Sequence, residues 1–516
     1  MAALRFQYQV AANICGYGQV VPRDGYQKRG TPKLESPASP RSGTPDASHH
    51  GMPSHVSYTS IQAMAAGVCA YLFQAYIWKK KAIGHGETPI AGNAKPETAP
   101  DADYSKIFPP SQRNAIYDLI PTADNNIEPL SVSKQPLLKL ECDYRLADPS
   151  TNLYSGFTVG DVRALGSFPD YAKLSGVPAP TPLKNFTIDT ARPRPYRPFR
   201  WPYHQTMSYK KLDADYWLEL ESTYRERITQ RRDLYAQHGK EILQALPGSE
   251  LACRELMEMA LQYLGTKYPQ HFQVSDGHFV NRILGTTRDV SAAEPLHVLL
   301  ENLPEDFGIM MRDEKTGRYH LRAGVICSSL GWKLGQKIGM GLPGVHHAVP
   351  GYKEKLAFSM DRFFTRMPAS SPIQRGSWGL EIGQPLFLPD DHPDWSNRGS
   401  RRDSLREEDV YLRVDWQTLR RLPLSGAIVF NFKALYTPLC EFADEPYIPS
   451  LVLKILNEGE EGIMKYKGTW HVEHVVKPAL VRYEQAQLDM GLIEKGWTVQ
   501  TLDESPFFPG WQRKCS

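Results

Sequence analysis

Two hairpin patterns constrain the fold of this chain more than any other feature. YLRVDWQTL and GAIVFNFKALY flank a short turn at Pro423 to Gly426. FGIMMR and RYHLRAGVICSS flank another turn, with Gly317 at the position that needs a permissive backbone. IQRGSWGLEI predicts one more strand. Because hairpins pair neighbouring strands antiparallel, these segments together predict an antiparallel sheet.

Helical patterns stand on both sides of these strands. One run opens at Asp213 and continues through Leu246, where Pro247 and Gly248 stop it, and another follows the capping residue Ser249. Further helices are expected at residues 291–302, 447–458 and 470–490. Helices, then an antiparallel sheet, then helices indicate the α+β class.

The N-terminal region has a different character. Residues 1–58 are rich in Pro, Ser and Gly, which predicts a disordered tail. Ile61–Trp78 is free of formal charge and three lysines follow it, so a single transmembrane helix is expected within residues 59–80. The lysines would hold its C-terminal end in the cytosol. A buried or surface-lying amphipathic helix is the alternative, since Gln62 and Gln74 interrupt the apolar run.

The rest of the chain divides into two predicted parts. Residues 81–190 are expected to be a linker and wrapping segment, and residues 191–516 a globular domain. The 60 Lys and Arg are interleaved with 57 Asp and Glu, which excludes a nucleic-acid partner. The seven cysteines include no CxxC pair, which argues against a structural zinc, an iron–sulfur cluster and a disulfide scaffold.

A histidine pair is the main candidate for cofactor chemistry. His346 and His347 lie between Pro343 and Pro350. On an extended backbone adjacent side chains point to opposite faces, so at most one of the two would enter a given pocket. A neutral imidazole in a stiff loop is a suitable axial ligand for haem iron. Taken alone, such a pair is more often a surface or structural feature.

The segment YLRVDWQTL carries an unusually polar strand face. By alternation, one face has Leu412, Val414, Trp416 and Thr418, and the other has Tyr411, Arg413, Asp415 and Gln417. The polar face is either solvated or a pocket wall that binds carboxylates, such as haem propionates, through arginine. The sequence alone leaves both possibilities open.

Several ordered blocks resemble one known family. TMSYKKLDADYWLELESTY, IGMGLPGVHHAVPGYKEKLAF and YLRVDWQTLRRLPLSGAIVFNFKALYTPL are similar to segments of the alpha subunit of haem-dependent oxidative N-demethylase and its relatives. The resemblance covers residues 194–485. Family members have Ile-His-x-Pro-Val-Pro-Gly where this chain has Val345 to Gly351.

The resemblance implies a PAS-like antiparallel sheet, flanked by helices, that binds haem b. It implies His346, rather than His347, as the ligand of the haem iron. Arg413 and Arg375 would hold the propionates, and Gln417 and Trp378 would shape the catalytic pocket. The implied activity is an oxygen-dependent monooxygenase reaction that demethylates or hydroxylates a small amine. No reductase motif occurs in the chain, so electrons would come from a separate flavin and iron–sulfur reductase.

Three positions depart from the family pattern. Ala348 replaces a proline after the histidine, Ser377 replaces an asparagine before Trp378, and Trp416 replaces an arginine. The changes at Ser377 and Trp416 predict an altered pocket. Such a pocket would suit an aromatic amine better than dimethylamine.

Together these expectations describe a single-pass membrane protein, anchored by residues 61–78, with a cytosolic haem enzyme domain. A basic group of Lys333, Lys337, Lys353 and Lys355 would either dock an acidic reductase or simply be solvated. The alternative function is a haem-based PAS-like sensor or binding protein without turnover. A scaffold without haem is the third possibility.

Overall fold

The computed structural model describes residues 103–116, 119, 137–204 and 206–515. These residues form an α+β structure around one large antiparallel sheet. The helices, in chain order, are α1 Arg113–Ile116, α2 Val159–Ala164, α3 Tyr171–Ser175, α4 Tyr224–His238, α5 Glu250–Lys267, α6 Pro295–Asn302, α7 Leu334–Lys337, α8 Leu342–Val345, α9 Ala357–Arg366, α10 Ile448–Glu458, α11 Glu461–Lys467 and α12 Glu473–Asp489.

The strands, in chain order, are β1 Lys210–Lys211, β2 Leu243–Ala245, β3 Phe272–Ser275, β4 His278–Asn281, β5 Thr286–Asp289, β6 Asp306–Arg312, β7 Tyr319–Val325, β8 Ile373–Ile382, β9 Val410–Arg421 and β10 Ile428–Pro438. The large sheet has the order β1-β8-β9-β10-β6-β7-β2, and each neighbouring pair is antiparallel. Strands β3, β4 and β5 form a separate small sheet. The two predicted hairpins are confirmed as β6–β7 and β9–β10, and β8 is the additional strand.

One predicted helix is shorter than expected. The run from Asp213 to Leu246 contains α4, but that helix ends at His238. Gly239 follows with a φ of +49°, in the left-handed region that favours glycine. The chain then enters the sheet as β2, so tertiary pairing, rather than helix propensity, decides the last residues of this run.

Side-chain alternation in the sheet separates two apolar cores. The main core takes Trp378, Leu380, Leu412, Val414 and Trp416 from one face, together with Phe157, Leu174 and other residues of 137–190. The small core takes Ile373 and Leu419 from the opposite face, with Ile428 and Phe432 of β10. The segments around α7, α8 and α9 cover this second face, since Leu334, Leu342, Tyr352 and Met360 belong to the small core. The small core therefore packs between the sheet and the loop that carries the histidine pair.

The expectation of a single transmembrane helix, and with it the single-pass membrane localisation, is contradicted. No helix within residues 103–116, 137–204 or 206–515 is long and apolar enough to cross a membrane. The segment 61–78, like the tail 1–58, lies outside the described residues. Its eighteen uncharged residues are at the short end of a bilayer span, and they include the polar side chains of Gln62 and Gln74.

Candidate functional site

His346 follows a single helical turn. Gly341 precedes α8 as its N-cap, and Pro343 occupies an early position where a missing backbone N–H costs little. His346 is the C-cap residue, with φ −107° and ψ 16°. The local backbone is thus a helical turn and not the extended loop expected from the sequence. The two imidazoles nevertheless have different surroundings, because His347 is exposed and His346 is largely covered.

The His346 ring is held on one edge and free on the other. Its Nδ1 lies 2.9 Å from the carbonyl oxygen of Leu342. A neutral ring donates its Nδ1–H to this carbonyl, which leaves the lone pair on Nε2. Burial lowers the pKa of His346 to about 4, and repulsion from Lys337 and Arg375 adds to the shift. The imidazole is therefore neutral near pH 7, the state in which a histidine ligates a metal.

Tyr352 fixes the plane of the same imidazole. The two rings are stacked with centroids 4.9 Å apart and an interplanar angle of 1°. Tyr352 opens a π-helical turn, Tyr352–Leu356, that follows the left-handed residue Gly351. Single π-helical turns occur frequently at functional sites. The Tyr352 hydroxyl donates to the Met360 sulfur, 3.7 Å away, which ties the aromatic ring to α9.

Arg375 and Gln417 lie on the sheet face that the small core covers. They are directly paired across β8 and β9. Each is two residues from a small-core member, Ile373 or Leu419, and therefore shares its face. Among the described residues the Gln417 side chain makes no hydrogen bond. The Arg375 Nε is shielded from solvent and likewise has no partner in this part of the chain.

Arg413 lies on the same face but is fully engaged. Its Nε donates to Asp415 at 2.9 Å, and Nη1 donates to the Pro385 carbonyl at 2.9 Å and the Tyr436 hydroxyl at 3.1 Å. Its Nη2 donates to the carbonyl of Ser328. The residue is 3% exposed, and its register partner on β8 is Gly379 rather than Arg375. The structure thus separates the two arginines that the sequence grouped as propionate ligands.

Trp378 and Trp416 are not on this face. Both belong to the main core on the other side of the sheet. Trp378 packs edge-on against Phe199, with ring centroids 5.2 Å apart, and Trp416 donates its indole N–H to Gln374 at 3.2 Å. The structure therefore does not bring Trp378 together with His346, Arg375 and Gln417. The expectation that the Trp416 substitution reshapes this side of the sheet has no support in this geometry.

Lys467 was not anticipated from the sequence. It ends α11, and its Nζ donates to the Trp378 carbonyl at 2.8 Å and the Ser377 hydroxyl at 3.3 Å. Burial lowers its pKa to about 7; Asp415 acts in the opposite direction, and repulsion from Arg375 and Arg200 lowers it further. The residues next to Lys467 in the sequence do not indicate this role, because its contact is with β8, about ninety residues earlier in the chain.

The basic group named from the sequence does not form one exposed patch. Lys333 pairs with Asp391 at 2.6 Å. Lys337 turns inward and donates to the Val345 carbonyl at 3.0 Å, and burial lowers its pKa to about 8. Lys353 and Lys355 are exposed. Only the last two retain the solvent access that docking of a partner would need.

The described residues contain no group of three or more His, Cys, Asp or Glu side chains that could hold a metal ion.

A family model described as haem-dependent oxidative N-demethylase, alpha subunit-like, matches residues 208–477. The match covers more than half of the chain. It extends from just before β1 into α12 and includes His346, Arg375, Gln417 and Lys467.

Proposed function

Because the chain belongs to the haem-dependent oxidative N-demethylase alpha-subunit-like family, we propose that it binds haem b through His346 and oxidises a small amine with O2. The reaction would remove a methyl group as formaldehyde. It consumes one O2, two electrons and two protons per methyl group, and the second oxygen atom leaves as water. A separate flavin and iron–sulfur reductase would supply the electrons.

The proposal rests mainly on the protonation and the hydrogen bonding of the His346 ring. A haem ligand must be neutral, oriented, and free at one nitrogen. Burial keeps the ring neutral, the Leu342 carbonyl at 2.9 Å holds Nδ1, and Nε2 has no hydrogen-bond partner among the described residues. These are the properties of a histidine that binds iron through Nε2.

The surrounding residues also fit a haem. The apolar side chains Val345, Val349, Phe430 and Phe432 offer contact for a porphyrin ring. Arg375 offers positive charge for a carboxylate, because no carboxylate of the described residues pairs with it. Arg413 is a weaker choice for the propionates, since each of its three nitrogens already donates to the protein.

Haem, when bound, supplies the oxygen chemistry and accepts the incoming electrons. The protein's own residues do the rest. The Leu342 carbonyl and the Tyr352 ring hold the imidazole in one orientation. The small core keeps bulk water away from the covered face of the sheet. Gln417 presents an amide with two N–H donors and one acceptor to the same side, and it would orient a substrate or an oxygen species by hydrogen bonding.

Trp378 would act through Lys467, whose ammonium lies 4.9 Å from the centroid of the Trp378 ring. It lies on the opposite face and supports the strand that carries Arg375. Trp416 lies there too, so its presence gives no reason to favour an aromatic amine over a small one. We therefore propose a small amine as the substrate class.

Haem titration of the full-length protein tests the proposal. The wild type should develop a Soret band that saturates at one haem per chain, and His346→Ala should lose or shift that band. His347→Ala is the matched control and should behave as the wild type, because this neighbouring imidazole is exposed. Loss of the band in His347→Ala, or no change in His346→Ala, would contradict the assignment of the ligand.

Turnover separates the enzyme from a haem-based sensor. With a chemical reductant and a methylated amine, an enzyme should consume O2 and release formaldehyde in a fixed ratio. A sensor should bind O2 or CO with a spectral change and release no formaldehyde.

A further inference from the structure

We propose that Arg375, Lys467 and Arg200 form a binding site for one carboxylate group. This inference deepens the proposed function, because it states which anion the pocket side of β8 recognises. Two sources share this chemistry, a propionate of the haem and a carboxylate carried by the amine substrate. The experiment below distinguishes them.

Lys467 lies against β8, because its Nζ bonds to Ser377 and to the Trp378 carbonyl and lies 4.9 Å from the centroid of the Trp378 ring. Ser377, which binds the Lys467 ammonium, is two residues from Arg375 on β8, and the two side chains therefore share one face. Arg200 reaches the same place through Tyr203, because its guanidinium lies 6.0 Å from the centroid of the Tyr203 ring and that ring packs against Trp378 with centroids 5.8 Å apart. Repulsion from Arg200 also contributes to the lowered pKa values of Arg375 and Lys467. The site thus joins a strand, a helix end and the loop before β1.

These cations have hydrogen-bond donors that no described residue accepts from. An ammonium has three donors, and Lys467 uses two of them in hydrogen bonds to Trp378 and Ser377, with the Trp378 ring 4.9 Å from its Nζ. Arg200 donates Nη1 to Thr206 at 2.6 Å and Nη2 to the His204 carbonyl at 2.7 Å. Arg375 makes no hydrogen bond to any described residue, and its Nε is closed to solvent. A buried donor without a partner costs free energy that a bound acceptor would recover.

No carboxylate of the described residues forms an ion pair with any of the three. Asp415 is the acidic group that acts on Lys467, and it is already paired with Arg413 at 2.9 Å. Other buried cations of the sheet region have carboxylate partners, such as Arg197 with Glu445 at 2.6 Å and Lys433 with Glu221 at 3.2 Å. A single cation without a carboxylate is not unusual, since Arg420 lies over the Trp217 ring. Within the described residues, the three together leave a local positive charge that a bound anion would balance.

The donor types favour a carboxylate. A guanidinium presents a planar fork that matches two carboxylate oxygens, and an ammonium adds a single strong donor. An aromatic side chain adjoins these donors, because the Tyr203 ring lies 6.0 Å from the Arg200 guanidinium and 5.8 Å from the Trp378 ring. The simple dimethylammonium cation would be repelled here, whereas an N-methyl amino acid would place its carboxylate on these donors.

The test compares full-length wild type, Lys467→Met and the control Lys465→Met. Lys465 lies on the same short helix but is exposed. Each protein is titrated with haem b and with haem b dimethyl ester, in which the propionates carry no charge, and binding is followed by the Soret band. N-methylglycine and dimethylamine are then titrated by calorimetry into the haem-free proteins and into each protein that binds haem.

If the site takes a propionate, wild type and Lys465→Met should bind haem at least about tenfold more tightly than the ester. Lys467→Met should lose most of that difference. If the site takes a substrate carboxylate, haem and ester should bind alike. N-methylglycine should then bind wild type with at least about tenfold higher affinity than Lys467→Met, and dimethylamine should bind weakly to both.

The proposal is overturned if Lys467→Met changes neither the preference for haem over its ester nor the binding of N-methylglycine. Failure of the proposed function looks different. In that case neither haem nor its ester gives a Soret band, while the calorimetric titration of the haem-free protein still tests the carboxylate site.

Affinity should also depend on pH. The charged groups that act on Lys467 are Asp415, Arg375 and Arg200, and burial lowers its pKa to about 7. Binding that needs the ammonium should weaken progressively above that pH. Lys467→Arg should keep the affinity and lose this pH dependence. An unchanged pH profile in Lys467→Arg would contradict a role for the Lys467 charge.

Discussion

Arg413 and Arg375 lie on one face of neighbouring strands, yet their surroundings differ completely. Every nitrogen of the Arg413 guanidinium donates to a carboxylate, a hydroxyl or a carbonyl. Arg375 donates to none of the described residues. The first arginine ties β9 to the segments at Ser328 and Pro385. The second leaves its hydrogen-bonding capacity free, which is what a binding site requires.

The number of unused donors distinguishes a structural buried cation from one that can bind a ligand. A buried cation with all donors used stabilises the arrangement that surrounds it, and removing it leaves several acceptors unpaired. A cation with free donors costs stability until a ligand arrives. We therefore separate a scaffold end of this sheet face, around Arg413, from a site end, around Arg375, Gln417 and Lys467.

The largest expected effect is at the scaffold end. Arg413→Met should lower the free energy of unfolding by about 3–5 kcal/mol, because it leaves Asp415 and several carbonyl oxygens without a donor. Arg375→Met should change it by less than about 1 kcal/mol, since Arg375 has no hydrogen-bond or ion-pair partner among the described residues. Denaturant unfolding of both variants checks this contrast. Equal losses would erase the distinction between the two ends.

Two glycines of β8 offer the next comparison. A Cβ at Gly376 would lie 2.7 Å from Cε1 of Tyr196 and 2.8 Å from Cβ of Pro198. A Cβ at Gly379 would meet only the Glu381 carboxylate at 3.3 Å. Gly376→Ala should therefore cost about 1–3 kcal/mol of stability, and Gly379→Ala less than about 1 kcal/mol. Thermal unfolding of the two variants measures both losses of stability. A larger loss in Gly379→Ala than in Gly376→Ala would show that the segment at Tyr196 moves aside at little cost.

Stability should respond to pH through Lys467. Its pKa falls from the ordinary value of 10.5 to about 7 on folding. Between these two values the unfolded chain binds the proton that the folded chain releases, so the free energy of unfolding rises with pH. Below pH 7 both states are protonated and this contribution is constant. The gain from pH 7 to 10 should be roughly 1–2 kcal/mol, and Lys467→Met should lack it. A Lys467→Met profile parallel to that of Lys465→Met would contradict this prediction.

The smallest expected effect concerns Tyr352. Its ring is stacked on His346, so Tyr352→Leu should weaken haem binding by a few-fold, which corresponds to about 0.5–1.5 kcal/mol. Tyr352→Phe keeps the ring and should bind haem as the wild type does. The Soret maximum and the midpoint potential provide independent measurements. If Tyr352→Phe and Tyr352→Leu bind haem equally well, the stacked ring does not position the imidazole.

Local patterns predicted much of this fold. Alternation located β8, β9 and both hairpins, because a sheet face follows directly from sequence parity. The same parity also separates Arg375 from Trp378. Arg375 and Trp378 are three residues apart on one strand and so belong to opposite faces. The grouping of Trp378 with the pocket residues therefore conflicted with the strand assignment itself.

The site was harder to predict than the fold. The choice of His346 over His347 came from the resemblance to the family, and the structure adds their unequal exposure. The state of an arginine depends on partners distant in the chain, as Ser328 and Pro385 show for Arg413. Lys467 meets β8 only through the tertiary fold. No local sequence pattern records these contacts, which is why Arg413 and Arg375 looked equivalent.

Chemical rescue of His346→Gly tests the central claim most directly. The full-length variant is titrated with haem in the absence and presence of imidazole, beside His347→Gly. Our account predicts a weak or altered Soret band for His346→Gly, restored by imidazole to the wild-type position, and no imidazole effect on His347→Gly. A wild-type band in His346→Gly without imidazole would contradict His346 as the iron ligand, and with it the site end of the sheet.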